Sequence, residues 1–182
     1  MRVDYNQVYC RVKDFREAID IAKRRGMFEQ DGEFKYFPAD CCGSTCILLA
    51  EFLMMYGIKT LYVLGENYIR ETHAWLIVKD DRIRKERQRL KLTDNAYSAL
   101  KLYGSCFNPK MTEIKGYDKN DLLDALGIDI TADQFGKEAI HVGEWKKFEV
   151  PFKYKIAQEH YGLSDRRYIE LYKIITSIIF KD

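Results

Sequence analysis

The chain has 182 residues, of which 47% are hydrophobic and 32% charged, enough to build one core and too apolar for a disordered segment. Lysine and arginine total 30 against 28 acidic residues, a formal charge of +2, which removes the compositional case for a nucleic-acid or membrane-surface protein. No apolar run approaches the roughly 20 residues of a membrane span. The polar start Met1-Arg-Val-Asp-Tyr-Asn-Gln lacks a signal-peptide core. The expectation is one soluble cytoplasmic domain over 1–182, with delivery as an effector left open and the oligomeric state unread.

In chain order, Val12, Phe15, Ile19 and Ala22 recur at helical spacing before Gly26. Asp31-Gly32 and Phe37-Pro38 predict a turn and an extended approach. A helix is expected from Gly43 to Tyr56, closed by Gly57, with Glu51 the one charge in its apolar middle. A helix apolar on nearly every side is buried. Lys59 to Leu64 predicts a strand ending at Gly65, and Thr72 to Lys79 a second one. There His73, Trp75 and Ile77 alternate with Ala74, Leu76 and Val78, so both faces are apolar and the strand is interior.

From Asp80 the character changes. Arg82 to Lys91 is dominated by basic residues, with Glu86 its lone acid, and a helix is expected over Thr93–Tyr103. Gly104 to Gly116 reads as loop, and Leu122–Leu126 as a short helix closing on Gly127, before Ile128-Asp129-Ile130-Thr131. This is an expected insertion at about 82–120. The last helix is expected from a Ser164 cap to Phe180, with Ile169, Tyr172, Ile175 and Ile179 inward. His141 reads as strand, His160 as surface, and Trp145 and the 13 tyrosines as packing. The order of elements predicts an α+β fold.

Five cysteines stand at 10, 41, 42, 46 and 106. The odd count and the adjacent Cys41-Cys42 pair fit reduced thiols rather than a disulfide framework. The cluster Cys41-Cys42-Gly43-Ser44-Thr45-Cys46 opens the buried helix. A thiol nucleophile needs a neighbourhood that favours thiolate, a base, and donors for an oxyanion. Cys42 at the helix start has free N–H groups and the helix dipole, and its own N–H is aimed at an attacked carbonyl. Gly43 leaves room for substrate. His73, flanked by Ala74 and Trp75, is the candidate base. Asp129, set between isoleucines and in need of a partner if buried, is the candidate third member. Asp133-Gln134 could equally orient the ring, Asp80 and Asp81 are rivals, and Asp129 could instead bond the backbone of Thr131. A lone histidine on an apolar strand is more often a hydrogen-bonded core residue.

Cys42, Leu48-Leu49-Ala50, Gly57-Ile58, Tyr62-Val63-Leu64-Gly65 and His73-Ala74-Trp75, in this order, resemble the transglutaminase-like superfamily, whose fold is related to that of the papain-like cysteine peptidases. Phe37-Pro38, Cys41-Cys42-Gly43, His73-Ala74-Trp75 and Asp129 to Phe135 also resemble a group of small bacterial proteins. The resemblance implies a buried central helix that carries the nucleophile and packs on an antiparallel sheet. Its register implies Cys42, rather than Cys41 or Cys46, as that nucleophile, His73 as its base, Asp129 by position after the histidine strand, and Gly43 and Trp75 near the substrate. It implies a Cys-His-Asp amide hydrolase or acyl transferase without cofactor, working through a thioester on a peptide, a protein side-chain amide or a small amide. Here the acid follows the histidine strand only after the basic segment and a helix, a departure from the pattern.

Two other classes compete. A metal site could draw on Cys41, Cys42, Cys46 and His73, although adjacent cysteines rarely ligate one ion and a second distant pair is missing. A catalytically inactive binding module could keep the fold without the chemistry, using Arg82–Lys91 against phosphates or an acidic partner. Aromatic residues do not interleave with that run as in single-strand binders.

Overall fold

A computed structural model describes residues 4–67, 69–78, 112–113, 125–144, 153–160 and 162–181. The chain opens with α1 (Tyr5–Arg24), capped by the Asp4 carboxylate, which accepts from the Asn6 N–H, and followed by Gly26 at φ 69°. Its buried stripe Val8, Val12, Phe15, Ile19 and Ala22 extends the expected periodicity by one turn towards the start. A turn and a short 3₁₀ helix (Phe34–Tyr36) lead to α2 (Cys42–Met55). Apart from Cys42, Glu51 and its last two residues, every position of α2 is buried. Gly57, at φ 72°, takes the left-handed conformation that ends it.

The strands are β1 (Thr60–Glu66), β2 (Thr72–Val78), β3 (Thr112–Glu113), β4 (Leu126–Asp129), β5 (His141–Glu144) and β6 (Lys153–Glu159). They form one sheet in the order β3-β6-β1-β2-β4-β5, with every pairing antiparallel. Helix α3 (Arg166–Ile179) packs with α1 and α2, and α2 lies against β1 and β2. The fold is α+β, with a buried helix on an antiparallel sheet. Ala74, Leu76 and Val78 join the helices in the main core, while Trp75 and Ile77 are buried on the opposite side of the strand. β2 is interior, as its two apolar faces require.

Several expected boundaries shift. Gly65 lies inside β1, at a register shift against β6, instead of ending the strand. Leu126 and Gly127 belong to β4, and the expected loop at 104–116 contains β3. Asp165, not Ser164, caps α3 by accepting from the Arg167 N–H. The buried face of α3 is Tyr168, Leu171, Ile175 and Ile178, one residue out of phase with the expected set at all but Ile175. Apolar residues cover enough of this helix to permit either phase, and packing against α1 and α2 selects one. His160 is not a surface residue: its side chain is 3% exposed and bonds Glu51 of α2 at 2.7 Å. The basic run 82–91, the helix expected over 93–103, Asp80, Asp81, Cys106 and Trp145 lie outside the described residues, as does most of the insertion expected at 82–120.

Candidate active site

The β2–β4 register pairs Leu76 with Ile128 and Ile77 with Gly127. Continued by one residue it sets Asp129 opposite Trp75, which makes His73 and Asp129 diagonal neighbours on one face of the sheet. Their side chains meet: His73 Nε2 lies 2.6 Å from Asp129 Oδ2, with the two side chains 0% and 1% exposed. An ionised carboxylate only accepts, so Nε2 carries the proton. Asp129 Oδ1 accepts from the Thr131 N–H at 2.9 Å and the Thr131 hydroxyl at 3.2 Å. Both carboxylate oxygens are therefore satisfied, as burial demands.

Cys42 is a second hydrogen-bond and charge partner of the same imidazole. Burial alone would drive the imidazole pKa down. The hydrogen bonds with Asp129 and Cys42, together with the coulombic pull of both, outweigh it and raise the value from 6.5 to about 9. The ring is held sterically by Phe135, edge-on at 4.9 Å between centroids, and by Trp75 at 6.2 Å. Trp75 is fully buried beside the imidazole, and Gly43 is buried in the first turn of α2.

The three clustered cysteines are sharply different. Cys42 is half-buried at the first position of α2. Cys41 is buried, its thiol donating to the Pro38 carbonyl at 3.4 Å and accepting from the Thr45 hydroxyl at 3.6 Å. Burial pushes the Cys41 thiol up to about 12, and burial also raises Cys46 well above the ordinary thiol range. Both are thus held as neutral thiols. Among the described residues, no three His, Cys, Asp or Glu side chains are grouped so as to hold a metal ion, so the set Cys41, Cys42, Cys46 and His73 is not assembled as a ligand cluster.

Two clamps fix the site, and sequence reasoning found neither. Arg16 of α1 is 6% exposed. Its guanidinium donates to the carbonyls of Ile130 (2.6 Å) and Ala139 (3.2 Å), to both oxygens of Asp133 (3.1 and 2.7 Å) and to Asp20 (3.0 Å), and it covers the Phe37 ring. It staples the segment that carries Asp129 to the first helix. The sequence signal was an arginine inside an apolar stripe, between Val12 and Ile19 at helical spacing. Arg167 of α3 forms the second clamp, donating to both Asp31 oxygens at 2.7 and 2.8 Å and approaching Glu33 at 3.2 Å. Glu33 in turn accepts from the Ser44 hydroxyl, beside the start of α2, and Ser44 also meets the Tyr168 hydroxyl.

Of the residues singled out from the sequence, Cys42, His73 and Asp129 are brought together. Asp133 pairs with Arg16 instead of the imidazole, while Gln134 Nε2 comes within 3.5 Å of His73 Nδ1. His141 sits across from Asp129 in the β4–β5 ladder, its pKa lowered by burial against the pull of Asp129 and Glu138.

Arg16→Met leaves Asp133 and two carbonyls without their cation and should cost about 2–3 kcal/mol, read by urea unfolding. A loss below about 0.5 kcal/mol would place Arg16 among ordinary surface residues. The imidazole gives a pH prediction. Its folded-state pKa lies above its unfolded value, so its contribution is complete below about pH 6.5 and lost as pH rises through 9. Wild-type stability should therefore fall between these limits, and Asp129→Asn should flatten that fall; an unchanged slope in Asp129→Asn contradicts the pairing. Compared with protein-family models, with curated proteins and with solved structures, the chain matches none.

Proposed function

We propose that the protein is a cysteine-dependent amide hydrolase or acyl transferase of transglutaminase-like, papain-related fold, with Cys42 as nucleophile, His73 as acid and base, and Asp129 as the group that orients and charges the imidazole. The observation that carries this reading is the buried imidazole bonded through Nε2 to Asp129, with Cys42 at a helix start as its second acidic partner. A buried imidazole has two ring nitrogens to satisfy, and backbone or water partners would satisfy them as well as acids. Here two partners are of acidic type, a carboxylate and a thiol, and with the thiol on Nδ1 they make the arrangement a thiolate–imidazolium pair requires.

In this reading Cys42 Sγ attacks the carbonyl carbon of an amide. The C–N bond breaks, the nitrogen leaves with the proton held at His73 Nδ1, and the acyl group remains on sulfur as a thioester. Water or a second amine then attacks the thioester and gives up a proton to the imidazole as the sulfur leaves. The products are a carboxylic acid or a new amide. Asp129 stays ionised throughout and holds the ring with Nε2–H towards itself. The two neighbouring thiols take no part, being buried and neutral. The substrate is an amide of a peptide, a protein side chain or a small molecule, and the chain needs no cofactor for these steps. Among the described residues no helix is long and apolar enough to cross a membrane.

Alkylation by iodoacetamide, followed cysteine by cysteine with peptide mass spectrometry, tests the nucleophile without knowledge of the substrate. At pH 6.5 Cys42 should react at least about 10-fold faster than the exposed Cys10, and His73→Ala should abolish the advantage. Equal rates at Cys42 and Cys10, unaffected by His73→Ala, would overturn the enzyme reading in favour of a binding module that keeps the fold.

A further inference from the structure

The short 3₁₀ helix Ala132–Phe135 follows Asp129 directly, with Thr131 before it and Gly136 closing it at φ 72°. Thr131 already serves Asp129 through its N–H and hydroxyl. Its carbonyl has a different role, accepting from Gln134 Nε2 at 2.8 Å and from the Gln134 backbone N–H at 3.2 Å. The side chain of Gln134 is thus folded back over its own turn. Because a carbonyl oxygen needs a donor, this bond also fixes which end of the amide is nitrogen.

An amide nitrogen carries two hydrogens, and Thr131 uses one. The same nitrogen lies 3.5 Å from His73 Nδ1, too far for a firm hydrogen bond. In the acyl-transfer reading Nδ1 is also the nitrogen that serves Cys42, since Nε2 is held by Asp129. Once it is protonated, the imidazole and the amide are two donors side by side, and two donors do not bond one another. Together they suit an acceptor carrying negative charge. Gln134 is half-buried and Phe135 exposed, so the amide lies between the buried imidazole and the surface.

We infer that Gln134 is a further catalytic residue, its Nε2–H donating, alongside the Cys42 backbone N–H, to the oxyanion that forms when Cys42 attacks a carbonyl. The inference rests on the acyl-transfer reading and adds to it the donor set that reading lacks. The same turn then performs two tasks. Thr131 holds the carboxylate that charges the imidazole, and through its carbonyl it aims the amide at the developing charge.

The test compares two reactions of one thiol in the full-length protein. Acetylation of Cys42 by p-nitrophenyl acetate passes through a tetrahedral oxyanion; alkylation by iodoacetamide does not. Gln134→Ala and the similarly sized Gln134→Met should each slow acetylation by about 100-fold and leave alkylation within about 3-fold of wild type, with unchanged thermal midpoints confirming the fold. If wild-type Cys42 shows no advantage over Cys10 with either reagent, the nucleophile reading fails and this inference falls with it. If wild-type Cys42 is reactive but the variants keep its acetylation rate, or lose both reactions alike, the nucleophile stands and the oxyanion role of Gln134 is overturned.

Discussion

Placing an imidazole and a carboxylate together in a sheet interior constrains everything around them. Neither group could be buried alone without a large desolvation cost. Their contact at 2.6 Å, with both side chains shielded from water, is tolerable only because each remaining polar atom is also engaged. Asp129 is served by Thr131, and the His73 imidazole has Cys42 as a second partner. The adjacency of β2 and β4, the sharp turn after Asp129 and the approach of α2 are all conditions for this pair. The fold and the chemistry are therefore one problem. The strand order that brings β4 beside β2, despite the long chain segment between them, is what delivers the acid to the histidine.

The helix start supplies the complementary half. α2 is apolar on nearly all sides and is held by packing against β1, β2 and both other helices. Its first turn is pinned separately through Ser44, Glu33 and Arg167. In the proposed reaction rigid placement matters, because a nucleophile displaced by an ångström loses much of its advantage. The same environment separates three chemically identical thiols. Two are buried where charge is penalised, and only Cys42 sits where a cation and partial exposure coincide. Arg16 performs the equivalent task for the acid, tying α1 to the carbonyls on both sides of the 3₁₀ turn.

Much of this was legible in the residues. The stripe Val12, Phe15, Ile19 and Ala22, the apolar run of α2 and the two-faced strand around Trp75 follow from local periodicity, which the structure keeps because burial enforces it. The likeness of Cys42, His73-Ala74-Trp75 and Asp129 to an ordered pattern pointed at residues that the structure places together. What escaped was set by tertiary contact. The phase of α3 depends on which stripe α1 and α2 accept, and His160 is buried because Glu51 on a distant helix receives it. Arg16 looks like a surface charge until the carbonyls of Ile130 and Ala139 are brought to it across the fold. Gln134 was legible as a polar neighbour of the acid. Its orientation was not, since that depends on a side chain doubling back on Thr131.

The central claim is that Asp129 acts on Cys42 only through His73. A double-mutant cycle on the rate of Cys42 alkylation, with wild type, Asp129→Asn, His73→Ala and the double variant, measures that coupling without any substrate. The account predicts that Asp129→Asn slows alkylation when His73 is present and has no further effect in the His73→Ala background. Equal slowing in both backgrounds would show the two residues acting independently, and would contradict the triad.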